Sequence, residues 1–215
     1  MTSGTRSRST RIDHVLIAVA DFGEAARRFR DDHGLTAVEG GRHTGWGTAN
    51  WIVPLGEGYL ELVGVVDESL AATNPFGRRA LEALADGGGL FAWCVRPADL
   101  DATAERLGLQ VSAGSRVRPN GAMVAWRTAG LEVALADASR PFFLAWDISP
   151  QDHPGRMRAD HATRPRGIAW VEVEGDEAAV HRWVGDDDLP VRVQPGPAAL
   201  LGVGIASDGG EIVLR

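Results

Sequence analysis

Two polar residues stand inside apolar runs, where burial is costly unless something pairs with them. His14 lies in Ile12-Asp13-His14-Val15-Leu16-Ile17-Ala18-Val19, and Glu61 in Tyr59-Leu60-Glu61-Leu62-Val63. An imidazole and a carboxylate in such strand-like stretches could share a divalent metal or contact a polar substrate. They could also hydrogen-bond each other, or Asn50, as the relic of a lost site. A free Glu61 could act as a base, its pKa raised by burial. His43 is the third candidate. It lies in Gly40-Gly41-Arg42-His43-Thr44-Gly45-Trp46-Gly47, a run too glycine-rich for a regular strand. Those glycines suit a close backbone approach, a lid hinge or an ordinary loop. Trp46 and Asn50 would suit a carbonyl or planar ligand, the indole for stacking and the amide for oxygen. His153, just before Pro154, could close over a pocket as an acid or base, or stay exposed on its loop.

The elements that must carry these residues follow from period and punctuation. Along 14–19, Val15, Ile17 and Val19 face one way and His14, Leu16 and Ala18 the other. Period two also sets Tyr59 and Val63 beside Glu61, so Tyr59 lines any pocket Glu61 faces. A helix follows the first strand, capped by Asp21 with Glu24 three residues on, striped by Phe22, Ala25, Ala26 and Phe29, and ended by Gly34. The unit returns near residue 90, with a helix closed by Gly108, and near 168, with Asp176 as cap and Gly185 as stop. The helix-ending glycines lie about 75 residues apart, a repeat period. Strand-like runs follow each helix: 35–38, 49–53 and 59–66; then 111–116, 122–127, 131–135 and 142–146; then 191–193, 200–205 and 211–214.

The fold class is therefore α+β, with consecutive β-α-β-β-β units whose curved mixed sheets form a cup-shaped pocket. We divide the chain into a tail at 1–10, a first unit at 11–73, a helical connection at 74–89 and a second unit at 90–147. A long loop at 148–166 and a third unit at 167–215 complete it. The connection reads as a helix with Pro75 at its start and Gly87 after it. The aperiodic loop is of the length that is often functional. Trp93 and Trp183 fall on helix-packing faces, whereas Trp170 falls on the opposite face and would line the cavity. Cys94 is read as a small buried hydrophobe.

Composition narrows the function classes. Of 215 residues 44% are hydrophobic and 24% charged, as in a globular chain with a sizeable core. The net charge of −7 gives no electrostatic case for nucleic acid. One cysteine leaves no internal disulfide and fits a reducing cytoplasm, and no apolar run is long enough to span a membrane. The Ser-, Thr- and Arg-rich tail lacks the apolar core of a signal peptide. Gly202-Val203-Gly204 has no third glycine and no following helix, so it is not a nucleotide loop.

The repeat, with His on the first strand and Glu on the last strand of the first unit, resembles the vicinal oxygen chelate superfamily of glyoxalase I, extradiol dioxygenases and bleomycin-resistance proteins. More narrowly it resembles a glyoxalase-like domain family. The residues that carry this are Asp13-His14-Val15, the run from Gly40 to Asn50, Gly58-Tyr59-Leu60-Glu61-Leu62, Pro141-Phe142-Phe143-Leu144-Ala145-Trp146 and His153-Pro154. The resemblance implies a small carbonyl- or enol-type ligand in the cup. It implies either metal-assisted isomerase, lyase or dioxygenase chemistry or non-catalytic sequestration. His14 and Glu61 would hold the metal (Zn, Fe, Mn, Ni or Co), if one is used, with His43 or His153 as a third ligand. In the second unit His14 aligns with Leu90 and Glu61 with Ala145; in the third the counterparts are Gly167 or Ile168, and Val213 or Glu211. The four-ligand cage is thus halved. The catalytic candidates are Glu61, His14 and His43; the ligand-binding candidates are Trp46, Asn50, Tyr59, Trp170 and His153. The unpaired third unit makes a homodimer an expectation.

Overall fold

The computed structural model describes residues 10–185 and 188–215; the expected tail, apart from Thr10, lies outside them. The first unit consists of β1 (Arg11–Ala18), α1 (Phe22–His33), β2 (Val38–His43), β3 (Thr48–Pro54) and β4 (Tyr59–Val65). A short helix α2 (Glu68–Ala71) and α3 (Pro75–Ala85) connect it to the second unit. That unit comprises β5 (Gly89–Arg96), α4 (Leu100–Leu107), β6 (Val111–Val117), β7 (Met123–Ala129), α5 (Leu131–Ala136) and β8 (Phe142–Trp146). The third comprises β9 (Pro165–Glu174), α6 (Glu177–Val184), β10 (Val191–Gln194), β11 (Ala199–Ser207) and β12 (Gly210–Leu214). The unit helices start and stop where local chemistry requires. The Asp21, Asp99 and Asp176 carboxylates accept the backbone N–H three residues on, and Gly34, Gly108 and Gly185 end the helices in the left-handed conformation.

Units one and two close into a single barrel of order β1-β4-β3-β2-β6-β7-β8-β5. Each contributes the strand order first-fourth-third-second, and two seams join them. The β1–β5 seam is long, whereas β2–β6 pairs only Arg42 with Val117 and His43 with Arg116. Leu16, Ala18 and Val63 point inward with Ala92, Cys94, Phe142 and Leu144, and α3 adds Phe76, Ala80 and Ala83 to this interior cluster. The alternate residues Val15, Ile17, Leu60, Leu62, Trp93, Val95 and Phe143 form the outer core.

The third unit keeps the element order of the repeat but not its topology. Its order is β10-β9-β11-β12, with β10 parallel to β9. It therefore does not offer a third half-barrel. Its apolar face, with Val171, Val173, Val203 and Ile205, joins the outer core of the barrel instead.

Two local expectations are corrected. Residues 131–135 form the helix α5, not a strand: Gly130 at φ 74° starts it, and Leu131, Ala134 and Leu135 have helical spacing. The second strand is not 35–38 but β2, which runs through the glycines to His43. Gly40 leaves room for the Asn50 amide and the Arg116 guanidinium, and Gly41, at φ 139°, passes close to the Val117 carbonyl of β6. The long loop holds two 3₁₀ turns, Pro150–Asp152 and Pro154–Arg156, and docks on the β3–β4 turn through the Gly56 N–H to the Gly155 carbonyl.

Candidate functional site

The barrel interior gathers His14, His43, Trp46, Asn50, Tyr59 and Glu61 around one cavity of about 30 Å³. Glu61, on β4, is the centre. Its Oε1 accepts from the Asn50 amide at 2.6 Å and lies 3.2 Å from His43 Nε2; its Oε2 lies 3.4 Å from His14 Nε2. Burial alone would raise its pKa. The hydrogen bond from His43, then the charges of His14 and His43 and the Asn50 amide, outweigh burial and bring it to about 2. The idea of Glu61 as a base made basic by burial is therefore corrected: its partners keep it a carboxylate.

Both imidazoles are fixed from behind. His14 donates through Nδ1 to Asp13 at 2.9 Å and stacks on Tyr59, ring centroids 4.5 Å apart. His43 Nδ1 lies 2.8 Å from the Thr48 hydroxyl. The Nε2 of His43 has two partners of opposite character. It can donate to Glu61 at 3.2 Å, or accept from the second N–H of the Asn50 amide at 3.3 Å. The Thr48 hydroxyl is equally able to donate or accept. With a proton on Nε2 the ring donates to Glu61 and leaves the second Asn50 N–H without that acceptor; without one it accepts from Asn50. Its ring is walled by Trp46, Phe76 and Trp126, with centroids at 5.6, 5.6 and 6.3 Å.

Asp13 is a site residue that sequence reasoning did not single out. A register shift between Ile12 and His14 in the β1–β5 pairing marks an irregularity at Asp13, and β1 is buried on both faces from Ile12 to Ala18. Fully buried, it accepts from His14, from His153 Nε2 at 3.1 Å and from the Trp146 indole at 3.2 Å, and pairs with Arg96 at 3.3 Å. Burial works against the charge, but the hydrogen bonds from His14 and His153 hold the carboxyl far below its usual range. Its signal in the sequence was the acid itself, placed between Ile12 and His14 in an apolar run.

His153 is neither exposed nor in the cavity. It is buried behind Asp13 and pins the long loop to β1. Trp146, beside it, lines both the cavity and an open outer cleft of about 490 Å³. Trp170 lies apart on the sheet of the third unit, covered by Arg192 at 3.9 Å and bonded to Glu211. Arg116, on β6, was also missed. It is 2% exposed, lines the cavity, and reaches Asn50 Oδ1 through Nη1 at 3.4 Å. Burial lowers its pKa, against the raising charges of Tyr59 and Glu61.

The residues do not fit the divalent ion that the sequence suggested. Both oxygens of Glu61 are already committed to nitrogen partners, and the fixed cation Arg116 stands behind Asn50. The inward positions of β5 and β8 are apolar: Ala92 and Cys94 on β5, Leu144 on β8. Leu90 and Ala145, aligned by repeat with His14 and Glu61, instead pack with the outer core. Among the described residues no group of three or more His, Cys, Asp or Glu is disposed to hold a metal.

Residues 12–186 match the glyoxalase-like domain, so the chain belongs to that family. No curated protein matches the sequence. A solved structure of a hypothetical protein from Staphylococcus aureus is similar over 96% of this chain and 99% of its own, with 16% identity and a TM-score of 0.68. Methylmalonyl-CoA epimerase from Mycobacterium tuberculosis matches over 70% and 95% of the two chains, with 20% identity and a TM-score of 0.45. A Streptomyces coelicolor methylmalonyl-CoA epimerase in complex with 2-nitronate-propionyl-CoA matches over 64% and 96%, with 19% identity and a TM-score of 0.45. No described helix is long and apolar enough to cross a membrane.

Proposed function

We propose that the barrel binds a small carbonyl compound and moves a proton at the carbon next to the carbonyl, as in an isomerase or lyase. The observation that carries this reading is His43, whose Nε2 is met by an acceptor in Glu61 and a donor in Asn50. Imidazole is the side chain suited to taking up and returning a proton near neutral pH. In the forward step the Nε2 lone pair takes the proton from carbon. The C–H electron pair becomes the enolate double bond, and the carbonyl pair moves onto oxygen. The imidazolium then faces the Glu61 carboxylate, while the Asn50 amide is freed to donate to the enolate oxygen. Return of the proton to either end of the enolate completes the reaction. Asp13 and His14 act as positioning residues for Glu61. No step runs through a metal.

The cavity, about 30 Å³, is small and ringed by Trp46, Phe76, Trp126 and Trp146. Entry of a ligand therefore needs the aromatic walls to move, and Trp146, shared with the outer cleft, is placed to do so. The same walls favour a second reading, a binder that sequesters a planar compound. Hydrogen–deuterium exchange separates the two. In D₂O the protein should wash out the protons beside the carbonyls of pentane-2,3-dione, and His43→Asn should slow this about 10²–10⁴-fold. Saturable tryptophan quenching with no exchange would establish the binder instead.

A further inference from the structure

Among the described residues the buried carboxylates Asp13, Glu61 and Glu172 all have partners, whereas the buried guanidinium of Arg116 is left partly unpaired. Asp13 is met by four donors, Glu61 by three nitrogens, and Glu172 by Gln194 and Arg215. Arg116 is as deeply buried, yet its Nη2 finds no acceptor among the described residues. A buried guanidinium without a counter-charge in contact is costly. Asn50 stands between Glu61 and Arg116, turning its amide N–H to Glu61 and its carbonyl oxygen to Arg116. Gly40 supports this arrangement, because a Cβ there would collide with the Asn50 amide and crowd the guanidinium. Arg116 also stands opposite His43 in the β2–β6 register, so both reach the same cavity from adjacent strands.

We infer that Arg116 is the anion-recognition residue of the barrel, and that the ligand is a small carboxylic acid whose carboxylate lies within one or two bonds of the carbon that His43 addresses. A guanidinium presents a planar fork of donors that matches a carboxylate. The ligand's oxygens would supply the acceptor that Nη2 lacks, with Nη1 still on Asn50. A 2-oxo acid meets both requirements, since its carboxylate is bonded to the carbonyl carbon and its proton leaves from the next carbon. This inference rests on the barrel being the ligand site and adds the chemical class of the ligand.

The test compares two probes of nearly equal shape, 2-oxobutanoate and the neutral pentane-2,3-dione, titrated against the intrinsic fluorescence of the full chain, whose Trp46 and Trp126 line the cavity. The acid should bind the wild type roughly 10- to 100-fold tighter than the dione, the range of a charge-assisted pair. Arg116→Met should abolish that preference, bringing the ratio of the two affinities to about one. Binding of the dione also reports that the variant is folded. Arg116→Lys, the second variant, keeps the charge without the fork and should retain part of the preference. Equal binding of the two probes by the wild type, or a preference that survives Arg116→Met, overturns the assignment and leaves the barrel as a binding cavity. If neither probe perturbs the fluorescence at millimolar concentration, the ligand site itself is overturned, and the assignment with it.

Discussion

The two halves of the barrel share a strand order and differ in what they turn inward. The first half presents His14, His43, Asn50 and Glu61; the second presents Ala92, Cys94, Trp126, Phe142 and Leu144, with Arg116 as its buried charge. The backbone is pseudo-symmetric and the chemistry is not. A closed barrel excludes water whichever side chains fill it. One half can therefore be packed for stability while the other holds a hydrogen-bonded cluster whose members depend on each other. The difference teaches that the repeat duplicates the scaffold and leaves the site to particular residues.

The largest effect expected from this asymmetry is in the first half. Asp13→Ala removes the acceptor of His14 Nδ1, His153 Nε2 and the Trp146 indole, and should cost about 3–5 kcal/mol in urea denaturation. A loss under 1 kcal/mol would mean that the cluster is not an energetic unit. A sharper test crosses position with pH. Leu144→Ala, in the apolar half, should cost about 2–5 kcal/mol by leaving a cavity, and by the same amount at pH 7 and pH 3. Glu61 behaves otherwise. Its folded value of about 2 lies below its ordinary 4.5, so its stabilisation is fully present above about pH 4.5 and is lost as pH falls through 2. That contribution is about 3 kcal/mol, and Glu61→Gln should flatten this part of the pH–stability curve. An acid limb unchanged by the substitution would break the contrast. The smallest effect concerns Thr48→Val, which removes the hydroxyl behind His43. It should cost about 1 kcal/mol of stability and slow proton exchange while leaving the affinity for pentane-2,3-dione unaltered.

Much of the first unit was legible from residues alone. His14, Leu16 and Ala18 share a face with each other because strands have period two, and Glu61 carries Tyr59 and Val63 with it for the same reason. Asp21 and Gly34 bound a helix through capping chemistry that acts over three or four residues. Other features were hidden. The run 131–135 alternates too little to distinguish five residues of strand from a turn and a half of helix, and burial against α3 decides it. The glycines before His43 read as a loop, because the groups they make room for, Asn50 and Arg116, belong to other strands. Leu90 and Ala145 were aligned by repeat spacing. A shift of one residue in a strand exchanges inside for outside, and the inward positions are their neighbours.

Local chemistry thus determined the units, their helix caps and the face shared by the polar residues of each strand. Tertiary structure alone decided that two units close into a barrel while the third, with a different strand order, packs outside it. It also decided that Asp13 is buried beside His14, that Glu61 is held ionised between two imidazoles, and that Arg116 meets His43 across the β2–β6 seam. The physical reason is range. Periodicity and capping act within a few residues of chain, whereas register across a seam is set by the packing of whole units against each other, and the candidate site borders that seam.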